Sequence, residues 1–462
     1  MSSPWALCID FGTAFSKAAA APTGAWARFD PAMVRPLMLN SPDAGGNAFL
    51  LESAVFVDDD RVLFGRAALA RADQLTAKKR MALRSFKTLL SASDLDRALN
   101  TGAPLSIDPH RVFPMRDLIV LYLAYLLASV ERAIDLDPDL RTASFDWRYA
   151  APAWRSGDSA GLHNIVVRLF GEAEAFRISV GDQLLSPEGV TFEAVNDALP
   201  RALESPRPKD MGLIFEATAA AAYTSIGLED SASHLIVVDV GAGTTDIAAM
   251  ARASGRVQEL PEARVTLKQA GDFIDRIIAN MIIEATKSAR TPDQQAALWR
   301  DLMRSMRDIK ESLFLDGRAL IRGDQRTINI AMRDVDRDRD FREFLKALTQ
   351  AYDHGLAVVR DFALRAGQRQ VDAVAVGGGA SAPFVQALLR TKPPRAGNLR
   401  FVARPATPDW AHAAAFQGNL APVFPQLAIA IGGALAPGAM LAAKNGVNPG
   451  AGARNGIPAG RG

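Results

Sequence analysis

The chain has 462 residues, 49% of them apolar, too many for one core, because single cores stop growing near roughly 250 to 300 residues. Its 53 basic and 51 acidic residues nearly cancel, so it lacks the excess of Lys and Arg on which nucleic-acid affinity rests. The single cysteine, Cys8, excludes an intrachain disulfide, and the five scattered histidines show no metal-ligand spacing.

Residues 7–11 form an apolar strand-like run so close to the N-terminus that no secretion signal fits before it, and Cys8 within it reads as a small buried hydrophobe. A cytoplasmic protein is expected. Residues 54–57 and 144–150 are further β-rich runs. Between them, residues 118–130 are the most apolar stretch, yet shorter than the roughly 20 residues a bilayer crossing needs and flanked by Arg116 and Glu131. The pattern predicts a buried helix and no membrane span. Strand-like runs resume at residues 235–240 and 371–376, an alternation with helices that argues for an α/β fold. Residues 292–314 place Leu298, Leu302, Met306, Ile309 and Leu313 at helical spacing, residues 326–332 alternate as a strand, and 341–364 return to helical spacing. From Pro437 to the end, Gly, Ala, Asn and Pro dominate, too poor in apolar groups to offset ordering entropy, so a disordered tail and no second folded domain are predicted.

A weak internal repeat carries the chemistry. Leu7-Cys8-Ile9-Asp10-Phe11-Gly12-Thr13 and Val237-Val238-Asp239-Val240-Gly241-Ala242-Gly243-Thr244-Thr245-Asp246 both run an apolar strand into Asp, an apolar residue, Gly and then Thr. This suggests two lobes of like construction. Glycines let backbone N–H groups approach a triphosphate, threonine hydroxyls can donate to it, and aspartates suit a water-shelled divalent metal. Asp and Gly also make ordinary hairpin turns, so neither loop is decisive alone. A third cluster, Val376-Gly377-Gly378-Gly379-Ala380, closes an apolar strand before a helix opening at Pro383, a usual place for a nucleotide or simply a tight turn. No Gly-x-x-x-x-Gly-Lys-Ser/Thr element occurs.

In this order the three loops resemble the nucleotide-binding domain of the seventy-kilodalton heat-shock chaperones, within the actin and hexokinase superfamily, over residues 6–435. Glu216-Ala217-Thr218-Ala219-Ala220-Ala221 is similar to the family's first connecting helix and residues 425–434 to its second. The resemblance implies a two-lobed actin-like fold with a duplicated ribonuclease-H-like motif and helical insertions: lobe I at 1–226 with 424–436 returning to it, lobe II at 227–423, and the tail at 437–462. It implies ATP or ADP with Mg²⁺ between the lobes, held by Gly12, Thr13, Gly241, Ala242, Gly243, Thr244, Thr245, Gly271, Lys310, Gly377, Gly378 and Gly379. Asp10 and Asp239 would carry the metal through water. Lys87, with Lys78 and Lys79 as rivals, would orient the attacking water. Glu216 would order the metal's water shell, with Asp239 and Thr244 completing the catalytic set. Pro152 stands where the family relays nucleotide state. A protein partner or co-chaperone would read the switch.

Departures are visible too. Ala14 replaces a second threonine, Glu311 stands where an adenine-stacking arginine is expected, and Gly379 and Ser381 replace a serine and an arginine. These motivate a pseudo-ATPase scaffold as an alternative, beside an actin-like filament-forming ATPase. A small-molecule kinase would need a carboxylate base that the sequence does not reveal.

Overall fold

A computed structural model describes residues 4–25, 29–40, 47–75, 78–84, 86, 89, 94–152, 159–207, 210–224, 232–253, 256–286, 291–322, 327–392 and 398–441. Contacts divide the chain into two units: Met1–Glu229 with Arg252–Glu259 and Asp409–Gly462, and Asp230–Ala251 with Leu260–Pro408. The helices used below are α1 (Met115–Leu136), α2 (Ser159–Val180), α3 (Glu216–Tyr223), α4 (Gly271–Thr286), α5 (Pro292–Asp316), α6 (Arg339–Arg365), α7 (Pro383–Leu389) and α8 (Phe424–Leu435).

The first unit is built on strands β1 (Trp5–Phe11), β2 (Phe15–Pro22), β3 (Arg35–Pro36), β4 (Leu51–Glu52), β5 (Val55–Val57), β6 (Arg61–Phe64), β7 (Phe145–Ala151), β8 (Val190–Thr191) and β9 (Met211–Phe215). Its main sheet runs β3-β2-β1-β7-β9 with β4 on β2, and β5, β6 and β8 form a small second sheet. β1 and β2 are an antiparallel hairpin, while β7 lies parallel to β1 and β9 parallel to β7. Ala6, Leu7, Cys8 and Ile9 are all buried, so β1 reads as a continuous apolar run with both faces covered.

Ala18, Ala19, Ala20 and Ala21 are fully buried on β2, and α8 lies against β1, β2 and α3. The approach of α8 to α3 is at backbone distance. A Cβ on Gly432 would sit 2.0 Å from Ala219 O, so only glycine permits the crossing. The C-terminus of α8 is tied down by Arg148 of β7, which donates to Gly433 O at 2.9 Å and Ala436 O at 2.6 Å while Asp146 holds the same guanidinium at 2.7 Å. A buried cation there satisfies carbonyls that the helix cannot and complements its dipole. α1 is buried nearly all round, with Leu118, Ile119, Val120, Leu121, Tyr122 and Leu123 at 0 to 1% exposure, the mark of a core helix. Among the described residues no helix is long and apolar enough to cross a membrane.

The second unit repeats the plan. Strands β10 (His234–Val240), β11 (Thr245–Ala253), β12 (Arg256–Leu267), β15 (Gln370–Val376) and β16 (Arg400–Ala403) run in the order β12-β11-β10-β15-β16, with β13 (Arg318–Arg322) and β14 (Thr327–Ala331) as a separate antiparallel pair. Again a hairpin, β10–β11, is followed by two parallel strands. The α/β class and the duplicated hairpin-plus-parallel sheet are therefore those of the two-lobed actin-like fold. α5 opens with a reciprocal cap, Thr291 Oγ1 accepting from Gln294 N and Gln294 Oε1 accepting from Thr291 N at 2.8 Å, then Pro292 at its first position.

The expected tail differs at its start. Gly438–Met440 forms a short 3₁₀ turn with Met440 only 6% exposed, because one well-placed apolar side chain anchors a stretch whose composition is otherwise poor. Residues 442–462 lie outside the described residues.

Candidate functional site

In the first unit the chemistry gathers at the β1–β2 turn. Asp10 and Lys17 are direct partners across the hairpin, and Lys17 Nζ lies 2.6 Å from Asp10 Oδ2. Asp10 is 3% exposed, and its other oxygen, Oδ1, is buried with no hydrogen-bond donor among the described residues. Such an acceptor costs about 1–3 kcal/mol unless something supplies it, and the chemistry of this oxygen fits a cation or a metal-bound water.

Behind the turn, Ser53 Oγ donates to Gly12 O at 2.9 Å and Ser53 N donates to Ala14 O at 2.9 Å. In a trans peptide the N–H points opposite to the preceding C=O. Gripping Gly12 O from behind therefore directs Thr13 N–H away from Ser53. Phe11 in the same turn stacks on Tyr122 of α1 at 5.6 Å and on Phe86 at 5.8 Å.

Glu216 is the first residue of α3, 6% exposed, directly after β9. Pro152 follows the last residue of β7. Lys78 and Lys79 are exposed, and Lys87 lies outside the described residues. Burial pushes the Cys8 thiol far up, which keeps it an inert core residue.

In the second unit the β10–β11 turn is closed by Gly241 N donating to Thr244 O at 3.0 Å. Its carbonyls are gripped by the start of α4: Gly271 N donates to Gly241 O at 3.2 Å and Asp272 N to Ala242 O at 2.8 Å. By the same peptide geometry, Ala242 N–H and Gly243 N–H are turned the other way, toward the half-exposed side of the turn. Thr245 is buried, with its hydroxyl on Gln269 O at 2.9 Å. Thr244 Oγ1 donates to Asp246 Oδ2 at 2.9 Å, and Thr266 Oγ1 donates to Asp246 Oδ1. The Thr244 proton is thus engaged, leaving its oxygen lone pairs as acceptors.

Lys310 of α5 reaches the same turn, with Nζ 2.7 Å from Asp275 Oδ1 and 3.4 Å from where a Cβ on Gly271 would stand. The third glycine cluster arrives from β15, which pairs Asp239 with Val376. Gly377 has φ +85, and a Cβ there would be 2.5 Å from both Asp239 Oδ1 and Val240 O, so glycine is required on two counts. Gly379 N donates to Val240 O at 2.9 Å, and Gly378 is exposed. The structure thus brings together Asp239, Gly241 to Thr245, Gly271, Lys310 and Gly377 to Gly379 in one unit, and Asp10, Gly12 and Thr13 in the other. Glu311 faces Arg307 one turn back at 2.9 Å, an exposed pair, and Ser381 is exposed.

Two residues escaped the sequence reading. Lys17 could have been found by extending the hairpin register back from Asp10, since cross-strand partners share a face. Ser53 had no local signal, being an isolated hydroxyl between Glu52 and the apolar run of β5.

A short stretch of the chain is similar to an actin-like protein. The actin-like protein MamK of Magnetospirillum gryphiswaldense is 46% identical over 55 residues, which is 12% of this chain and 14% of MamK. No protein-family model matches the chain. With the duplicated hairpin sheets, this match points to the actin-like ATPase superfamily; it carries nothing specific to heat-shock chaperones.

Proposed function

We propose that the chain binds ATP with Mg²⁺, hydrolyses it to ADP and phosphate, and changes state for a protein partner, as heat-shock chaperone nucleotide-binding domains do. The observation that carries this is Asp10: a buried carboxylate with Lys17 on one oxygen and, among the described residues, no donor on the other, at the turn whose carbonyls are held back. A single buried carboxylate oxygen suits an ion that would keep most of its waters, as Mg²⁺ does. Asp10 in the first unit and Asp239 in the second are the carboxylates that would meet those waters. Lys17 offsets phosphate charge, and Thr13, Ala242 and Gly243 offer backbone N–H groups to phosphate oxygens. Thr244, its hydroxyl donating to Asp246, would accept from the attacking water and orient it, with Glu216 and Lys87 completing the positioning. In the second unit Gly271, Lys310 and Gly377 to Gly379 would serve the nucleotide. A cytoplasmic location accords with the inert Cys8.

Calorimetric titration with Mg-ATP and Mg-ADP, followed by single-turnover hydrolysis, tests this on the wild-type chain, Asp10→Asn and Lys87→Ala. Asp10→Asn should weaken Mg-dependent affinity by about tenfold or more, the weight of a charge-assisted contact. No heat with either nucleotide would remove the cofactor; binding without hydrolysis above buffer would leave a scaffold. A second reading, assembly of copies into filaments, is favoured by the likeness to an actin-like protein. Pelleting that depends on ATP and concentration would support it, and a monomer at all concentrations would exclude it.

A further inference from the structure

We infer that Ser53, backed by Ser16 and Tyr122, is the positioning residue that fixes the first hairpin in its phosphate-binding form, an inference that rests on the ATP-binding reading above. Gly12 O can only accept, so Ser53 Oγ, 2.9 Å away, gives its proton there. Ser53 Oγ is left to accept, and Ser16 Oγ donates to it at 3.1 Å. Ser16 then accepts from the phenol of Tyr122 at 2.8 Å, which also lies 3.2 Å from Ser53 Oγ. Each hydroxyl donates once, so the relay has a single direction, from helix α1 to the loop carbonyl.

All three residues are at 0% exposure, so no water competes for these protons. The ring of Tyr122 is held by near-parallel stacking on Phe11 at 5.6 Å and Phe86 at 4.7 Å. Burial raises the phenol well above its ordinary range, against the lowering effect of its hydrogen bonds to Ser16 and Ser53, so the phenol keeps the proton it donates. Ser53 also binds Ala14 O through its own N–H, giving a two-point grip across Gly12 to Ala14.

The consequence is electrostatic. Gly12 C=O and Thr13 N–H are opposite edges of one peptide plane. With the carbonyl tied to Ser53, the positive edge faces away from the core. If the tie is lost, the plane can turn and present its negative edge to an anion.

Titration of the full chain with Mg-ATP tests this. Ser53→Ala should weaken ATP affinity by about tenfold, and Tyr122→Phe, which keeps the ring stack, by about threefold. Asp108→Ala is the control for plain destabilisation, since it strips an acceptor from three backbone N–H groups in the loop before α1. It should lower the unfolding midpoint at least as far, yet leave affinity within about twofold. Wild-type affinity in Ser53→Ala, or equal weakening in Asp108→Ala, overturns the inference while leaving ATP binding intact. Should Ser53→Ala fail to fold, Tyr122→Phe decides: threefold weaker binding supports the relay, unchanged binding with a lowered midpoint overturns it. A wild-type chain that gives no heat with ATP sinks the ATP-binding reading, and the inference falls with it.

Discussion

The two hairpins hold their turn carbonyls by different means. At β1–β2 the grip on Gly12 is a side chain, the hydroxyl of Ser53, whereas at β10–β11 the grip on Gly241 and Ala242 is the backbone of α4 at Gly271 and Asp272. A backbone grip is indifferent to side-chain identity and fails only when the helix moves. A side-chain grip can be undone by deleting one oxygen, and it depends on whatever holds that side chain in turn. The first hairpin therefore inherits the condition of α1, through Tyr122, while the second inherits only the seating of α4.

The sharpest break of that contrast is Gly377→Val, which adds a side chain at φ +85 into Asp239 and Val240. We expect a loss of about 3 kcal/mol or more in denaturant unfolding together with loss of ATP affinity. Wild-type binding in that variant would detach the third glycine cluster from the site.

Asp117, in the first turn of α1, tests the dependence of the first hairpin on its helix. Burial pushes its carboxyl up to about 6 against the lowering effect of Arg116. Between about pH 4 and pH 6 the folded chain keeps a proton that the unfolded chain has released, so stability falls as pH rises through this window and stays lower above it. Asp117→Asn should therefore gain up to about 3 kcal/mol at pH 7 and nothing below about pH 4, with the helix dipole trimming that ceiling. Equal stability of the two chains at pH 7 would refute the shift.

Gly271→Val comes next. A Cβ at this position stands 3.3 Å from Gly241 O, so Ala should be tolerated within about 1 kcal/mol, whereas the larger Val pushes α4 off the turn and should cost about 1–3 kcal/mol with weaker ATP binding. Similar affinities for the two variants would show that the backbone grip does not matter. Glu311→Gln is the smallest effect: an exposed pair with Arg307 is worth below about 0.5 kcal/mol, and ATP affinity should not change. A clear change in affinity would place Glu311 against the nucleotide after all.

The periodic parts of this molecule were legible in its sequence because burial enforces period. The run at Leu7 to Phe11 became β1, the spacing from Leu298 to Leu313 became α5, and the glycine cluster at Gly377 did close β15. The two hairpin turns were legible because Asp, Gly and Thr recur at fixed offsets. What could not be read were the contacts that set those turns. Ser16, Ser53 and Tyr122 are separated by 37, 69 and 106 positions, and no periodicity links hydroxyls that meet only in the folded core. Thr244 looked like a free donor, but its hydroxyl donates to Asp246, and Glu311 looked like a lost cation, but it pairs with Arg307.

Helix α8 adds a consequence for how the molecule is made. It covers β1 and β2, presses Gly433 against Cys8 and is tied at its end by Arg148, yet it is synthesised more than four hundred positions after the strands it covers. During synthesis the alanine face of β2 and the thiol of Cys8 have no partner, while nearly all of the second unit emerges in the interval. The second unit can thus settle before the first one closes, and the first sheet is the surface a nascent chain must keep from aggregating.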